Sequence, residues 1–141
     1  MKRVRTRTLR GQILPASGFG KTQILIDDGM INRGYKVTGF YVFSESGQDT
    51  FNAALSFSPV IAASKMDAAD NSQFAWSWHA NLSSPHEGFI DPDHVAVRDM
   101  YVTVMNTNAD NLFNYVVVME QYAISNDEAI INIIKEGSQS L

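Results

Sequence analysis

Apolar and polar residues alternate along most of this chain, the pattern of strands that are half-buried on one face. Residues 51–58 place an apolar side chain at nearly every second position, and residues 35–43 and 95–105 are rich in β-branched and aromatic side chains. Residues 113–122 have an apolar middle, which predicts a central position in a sheet. Further strands are predicted at 3–14, 22–26 and 73–79.

Turn-forming residues separate these segments, and no helical periodicity alternates with them. Seven or eight strands at roughly ten-residue spacing predict a mainly β fold, a β-sandwich or barrel. Eight strands in two sheets would make a single jelly roll. Residues 80–93 contain Pro85, Gly88 and Pro92 and predict a long polar loop. Loops of that length are usually functional or interfacial.

The C-terminus carries the signals of one short helix. Ser125 and Glu128 have capping-box spacing, and Gly137 is placed to end the helix. An apolar stripe lies between them, formed by Ala129, Ile130, Ile133 and Ile134. A helix over 126–136 is too short to be stable alone, so the stripe must bury against its own sandwich or a partner. The predicted organisation is a basic arm (1–10), a β-sandwich domain (11–124) and a capped helix with tail (125–141).

Charge divides the chain unevenly. The net charge of −4 combines +6 over residues 1–36 with −10 over residues 37–141. Such asymmetry indicates a basic segment with an anionic partner, or an arm that docks on an acidic neighbour. The arm concentrates the effect in five basic residues among the first ten, with no acid: Lys2, Arg3, Arg5, Arg7 and Arg10.

These five side chains have two possible roles. Clustered arginine and lysine form an electrostatic footprint for phosphate, and such binding would be sequence-independent and salt-sensitive. Arginine serves equally well in docking to protein, and charge also protects an edge strand against aggregation. The sequence therefore predicts contact with nucleic acid or with a neighbouring subunit and leaves both open.

Several classes of protein are disfavoured by composition. The chain has no cysteine, which removes disulfides and thiolate metal sites. No apolar run is long enough for a transmembrane helix, so no membrane partner is expected. The start Met1-Lys2-Arg3 is not followed by the apolar stretch of a signal peptide, so export by that route is not expected.

Candidate catalytic and metal-binding motifs are weak. The segment 18–22, Gly-Phe-Gly-Lys-Thr, resembles part of a phosphate-binding loop, but Pro15 stands where a glycine is needed and a predicted strand follows instead of a helix. Three histidines lie in or next to the loop at 80–93, without metal-ligand spacing on a regular element: His79, His86 and His94. We therefore expect no enzyme activity, no metal and no cofactor.

Three aromatic residues lie at alternate positions of the strand at 73–79. Phe74, Trp76 and Trp78 would share one face of a regular strand. Such a face can stack on sugars or bases, but aromatic residues also dominate burial in small β domains, and we place all three in the core.

A basic arm followed by about eight strands and one long loop resembles the small single jelly-roll coat proteins of simple viruses. The stretches 114–122 and 124–135 also look like the tails of marine viral proteins. The resemblance implies a structural protein that self-assembles as a symmetric homo-oligomer into a viral capsid. It implies location in the virion, after assembly in host cytoplasm or nucleus. The arm would face the genome or a neighbouring subunit.

The loop at 80–93 and the C-terminal helix are the expected contact surfaces between subunits. The residues predicted at this interface are His86, Asp91, His94, Ile130, Ile133 and Ile134. Two alternatives remain. The first is a carbohydrate- or receptor-binding module of a phage fibre, which exposed tryptophans would favour. The second is a cupin-like metal-dependent enzyme, which convergence of the three histidines would favour.

Overall fold

The computed structural model describes residues 2–15, 19–24, 32–46, 49–58, 66–81, 83, 85–97, 99–105, 111–125, 127 and 131. Within them, eight strands form two antiparallel sheets. The strands are β1 (Lys2–Ile13), β2 (Phe19–Ile24), β3 (Arg33–Ser44), β4 (Phe51–Ser56), β5 (Gln73–His79), β6 (Glu87–Ile90), β7 (Met100–Met105) and β8 (Phe113–Ala123).

The first sheet has three strands in the order β1-β8-β3. β8 is paired along both edges, with β1 from Ile13↔Phe113 to Lys2↔Ala123 and with β3 from Ser44↔Phe113 to Arg33↔Ala123. The prediction that 113–122 is a central strand is therefore confirmed. Its Val117 and Met119 face the core with 0% exposure, and burial on that face supplies the main driving force for the pairing.

The second sheet has five strands in the order β2-β7-β4-β5-β6. It packs on the first sheet across one core, to which both sheets contribute apolar side chains. The rings of Phe51 from β4 and Phe113 from β8 meet edge to face at 5.4 Å, which links the two layers. The largest fully buried side chains include Phe74, Phe113, Leu55, Met100 and Met119. The predicted mainly β sandwich is confirmed.

β-Bulges interrupt the regular alternation at three places. The register shifts between Arg3 and Arg5 in β1 and between Val37 and Gly39 in β3. A third shift lies where β4 meets β5 and leaves Phe74 without a counterpart in β4. Since a bulge adds one residue to one strand, it changes which side chains face the core.

One predicted loop and the start of one predicted strand differ from the structure. The predicted polar loop at 80–93 contains β6, whose four residues pair with β5 from Ala75↔Ile90 to Trp78↔Glu87. The strand predicted at 95–105 begins only at Met100, and before it Ala96 makes one isolated bridge to Tyr35. The sequence did not predict β6 because its glycine and polar residues do not alternate with apolar ones. An edge strand can form without such alternation.

The glycine-rich segment 18–22 leads into a strand. Lys21 and Thr22 lie in β2 and pair with Thr103 and Val102 of β7. A β-carbon added at Gly20 would come within 2.6 Å of Ile13 Cγ2 and 2.8 Å of the Pro15 Cα. The close approach of β2 to the end of β1 at this position therefore requires glycine, which gives Gly20 a packing role.

The two sheets leave an open seam along one side of the sandwich. β3 is an edge of the first sheet and β6 an edge of the second, and no ladder joins them among the described strands. The bridge between Tyr35 and Ala96 occupies only the start of the β3 edge, through two 2.8 Å backbone hydrogen bonds. Beyond it, residues 38–43 and 86–90 line a groove of about 480 Å³. We call this groove the seam.

The predicted C-terminal helix falls mostly outside the described residues. Asp127 and Ile131 have helical backbone and are exposed. The apolar stripe of Ile130, Ile133 and Ile134 lies outside the described residues, so its predicted role in an interface stays a prediction. In the part of the chain that the structure describes, no helix is long and apolar enough to cross a membrane.

Candidate functional site

Strand pairing gathers basic residues at one end of the three-stranded sheet. Lys2 and Arg33 both pair with Ala123, so the start of β1 and the start of β3 flank the end of β8. Six basic side chains belong to this end: Lys2, Arg3, Arg5, Arg7, Arg33 and Lys36. We call the set the basic end. Across the strands of this sheet the only acid is Glu120, so the basic end carries a clear excess of positive charge.

Arg3 contacts that acid at the β1 bulge. Its Nη1 lies 3.7 Å from Glu120 Oε2, and the two side chains are 64% and 26% exposed. An ion pair this exposed contributes little to stability, about 0–1 kcal/mol. Arg3 is therefore held loosely and remains available to an anionic partner.

Arg5 and Arg7 are attached to the sandwich. Arg5 Nε donates to Oε1 of Gln121 at 2.6 Å, and Gln121 is only 3% exposed. Arg7 Nη1 donates to the Tyr35 hydroxyl at 3.2 Å, and its guanidinium carbon lies 5.7 Å from the centre of the Tyr35 ring. Each guanidinium has five N–H donors, so one bond to the protein orients the group and leaves other donors for a ligand.

Lys36 completes the basic end on β3. Its Nζ lies 5.8 Å from the centre of the Tyr122 ring, a cation–π arrangement. The Tyr122 hydroxyl donates to Glu120 Oε2 at 2.9 Å. This hydrogen bond to a carboxylate is the main reason that the pKa of Tyr122 is raised. The single acid of the sheet is thus shared between Arg3 and Tyr122.

Of the five predicted contact residues, four lie at the basic end. Arg10 is exposed but lies farther along β1, opposite Val116. Sequence reasoning missed Arg33 and Lys36, which lie about thirty residues from the arm in sequence and reach it only through β8. Residues 2–10 also continue without a break into the rest of β1. The arm is therefore an edge strand of the sheet, and its own sheet holds it.

The three histidines divide between two places. His79 and His86 stack at 4.1 Å beside Phe51, and His79 Nδ1 lies 3.0 Å from the Asp49 carbonyl oxygen. The pKa of His86 is lowered, first by burial and then by the nearby His79. His94 stacks instead on Phe74 at 4.1 Å. Among the described residues, no three metal-ligating side chains converge.

The tryptophans contradict the sequence prediction. Phe74 is buried in the core at 2% exposure, but Trp76 and Trp78 are only half-buried and lie outside the core cluster. The bulge at Phe74 is the reason, because it breaks the alternation that would place all three side chains on one face. Placing Trp76 and Trp78 in the core was therefore wrong.

Both tryptophans line a second groove, on the outer side of β5 and β6. It measures about 540 Å³ and is lined by Met66, Ala68, Trp76, Trp78, Phe89 and Asp91. We call it the aromatic groove. Asp91, a predicted interface residue, lies at its edge. The predicted interface residue His86 lies in the seam.

The fold defines a two-sheet β protein of the sandwich class. No protein-family model matches the chain, and no curated protein matches it. A solved chain described as "Bacillus endospore appendages form a novel family of disulfide-linked pili" is similar with a TM-score of 0.45 and 12% identity, covering 88% of this chain and 90% of that chain.

Proposed function

We propose that this chain is a structural protein, not an enzyme, and that copies of it assemble into a symmetric viral shell. The observation that carries the proposal is the seam. Unpaired strand edges are templates for pairing with another chain, and monomeric proteins usually protect them with charge, proline or a covering segment. β3 is twelve residues long, and Lys36 is its only charged residue after Arg33.

The rims of the seam are aromatic. Tyr41 and Phe43 on β3 are 57% and 41% exposed, and Phe89 on β6 is 58% exposed. Exposed large apolar side chains grouped at one place mark interaction surfaces more often than isolated ones do. An edge that no other described strand pairs with beyond Tyr35, and that has aromatic flanks, suits a strand or loop from a neighbouring subunit.

The strand order supports a jelly roll. β1 pairs with β8, β2 with β7 and β4 with β5. A single long hairpin that folds over on itself produces these pairs, and this wrapping makes the two Greek keys of a jelly roll. The remaining pair of such a wrap would be β3 with β6, which is the position of the seam. Eight-stranded jelly rolls build many viral shells.

The positive charge of the basic end supports the proposal that the shell binds an anionic partner. Within the strands of the three-stranded sheet, six cations stand against one acid, Glu120, at one end. Phosphate contacts of this kind position a nucleic acid without reading its sequence. We propose that the basic end faces the genome inside the virion, and a docking role on an acidic surface of the next subunit is the alternative.

Size-exclusion chromatography with light scattering tests assembly, with the ratio of absorbance at 260 and 280 nm recorded in the same run. We expect a particle far heavier than the 15.7 kDa chain, with a high ratio if nucleic acid is inside. A large particle with a protein-like ratio would support the shell and contradict the genome contact. A monomer would contradict both.

Two double variants test the role of the seam. Tyr41→Lys with Phe43→Lys adds charge to the β3 rim and should abolish large particles while leaving the circular dichroism spectrum unchanged. Thr8→Lys with Gln12→Lys is the matched control, because these positions are exposed on β1 of the same sheet and lie outside the basic end. Assembly of the rim variant at the wild-type level would exclude the seam as a subunit contact.

A further inference from the structure

The aromatic groove holds three aromatic side chains outside the core, Trp76, Trp78 and Phe89. The rings of Trp76 and Phe89 have centres 6.3 Å apart and planes inclined by only 25°. Rings stacked this closely leave no space between them for a ligand. Trp78 lies two residues farther along β5 and lines the same groove.

Hydrogen bonds fix both indole rings. Trp76 Nε1 donates to Gln73 Oε1 at 2.8 Å, and Trp78 Nε1 donates to Glu87 Oε2 at 3.0 Å. Gln73 is itself 5% exposed, and its Oε1 also accepts from the Asp67 backbone N–H at 2.9 Å. The rings are therefore oriented before any ligand arrives, which lowers the entropic cost of binding.

Hydrogen bonds also hold the turn at residues 70–72, next to the groove. The Asp70 carboxylate accepts from the Ser72 backbone N–H at 3.0 Å and from the Ser72 hydroxyl at 2.8 Å. These bonds hold the turn that follows Met66 and Ala68, which line the groove. Its volume of about 540 Å³ falls within the range of small-ligand sites, about 300–1,000 Å³.

The charge of the groove selects among ligands that stack on aromatic rings. The charged residues at its described edge are acids, Asp91 as a lining residue and Glu87 through its bond to Trp78. A nucleobase would bring phosphate, which needs a basic groove. A compact cation is held best inside a cage of rings, and the rings of Trp76 and Phe89 are stacked too closely to enclose one. Carboxylates only accept hydrogen bonds, so they suit the hydroxyl groups of a neutral sugar.

We propose that the aromatic groove binds an uncharged carbohydrate chain, with sugar faces stacked on Trp76, Trp78 and Phe89 and hydroxyl groups donating to Asp91. The site lies on the outer face of the five-stranded sheet and is independent of the basic end. Through this site the chain would attach to a surface that carries glycans, in addition to assembling with other copies.

The chain contains only two tryptophans, and both line the groove. Intrinsic fluorescence therefore reports directly on this site. We would titrate the full chain with soluble laminarin, mannan, xylan and chitohexaose, and expect a saturable change in tryptophan emission with at least one of them. Poly(dT) and heparin serve as charged probes, and protein dilution serves as the probe for self-association.

Calorimetric titration of variants with the glycan that binds then assigns the site. Phe89→Ala and Trp78→Ala should each raise the Kd by about tenfold, the scale expected for losing one stacked ring and its buried area. Tyr41→Ala is the matched control for Phe89→Ala, because the two rings are 57% and 58% exposed and Tyr41 lies outside the groove. Its Kd should equal that of the wild type.

Three results would overturn the proposal. The first is no saturable change with any of the four glycans up to about 10 mM, a concentration that would detect even millimolar affinity. The second is a response to poly(dT) or heparin alone, or to protein concentration alone, which would assign the groove to a charged polymer or to a second copy. The third is an equal loss of binding in Tyr41→Ala and Phe89→Ala.

Discussion

If the basic end contacts nucleic acid, removing its cations should change the salt dependence of binding by a calculable amount. The useful variant combines Arg3→Ala, Arg33→Ala and Lys36→Ala. Arg5 and Arg7 are left in place because they bond to buried Gln121 and Tyr35, and losing them would disturb the sandwich itself. The triple variant therefore separates charge from fold better than removal of the arm arginines would.

The magnitude follows from counterion release. Each phosphate neutralised contributes about −0.9 to the slope of log K against log salt concentration on duplex DNA, and about −0.7 on single strands. The basic end holds six cations, so the wild-type slope on a duplex should reach at most about −5. Removal of three cations should reduce its magnitude by about 2.7 on a duplex and by about 2.1 on a single strand.

Fluorescence anisotropy with labelled duplex and single-stranded oligonucleotides, across a salt series, measures the slope. Lys21→Ala is the control, because it removes a cation from the five-stranded sheet and should leave the slope unchanged. Equal slopes for the wild type and the triple variant would refute the genome contact, and the basic end would then be assigned to protein docking.

Three further predictions concern stability. Phe113→Ala removes a fully buried ring that contacts Phe51 and should lower the free energy of unfolding by about 3–5 kcal/mol in urea titrations; a loss below about 1 kcal/mol would contradict the assigned core. Gly20→Ala should cost about 1–3 kcal/mol, because its β-carbon would meet backbone at Pro15, and an unchanged urea midpoint would contradict this close approach. The lowered pKa of His86 means that the unfolded chain binds the proton more readily, so stability should fall as pH drops below about 6.5. In His86→Gln this part of the loss should be absent, and an identical pH profile of thermal unfolding in both proteins would contradict the pKa direction.

The strands were predictable because the burial of a strand is visible in the pattern of apolar residues within its own sequence. Period-two alternation located β4, and the apolar centre of β8 indicated both a strand and its position between two partners. β6 was not predicted, because Glu87 and Gly88 do not fit an alternating apolar pattern. Its presence depends on the free edge of β5, which is a tertiary property that no local window contains.

The functional surfaces were less predictable, since each depends on pairing between distant segments. The arm residues were recognised by their charge, but Arg33 and Lys36 join them only through the shared register with β8. The tryptophans were assigned to the core by alternation, and one bulged residue, Phe74, reversed that assignment. A bulge adds a single residue and has no sequence signature here, yet it decides whether two aromatic rings stabilise the core or meet solvent.

The seam and the aromatic groove meet at β6, and this makes the two proposals separable. Phe89 lines both grooves, whereas Tyr41 lines only the seam and Trp78 lines only the aromatic groove. If a neighbouring subunit fills the seam, Tyr41→Ala should weaken assembly without changing the affinity for a glycan. If sugars stack in the groove, Trp78→Ala should have the opposite effects. Phe89→Ala should reduce both activities, because the same ring forms a wall of each groove. A chain in which all three variants behaved alike would have a single interaction surface along β6, and the division between assembly and ligand binding would be wrong.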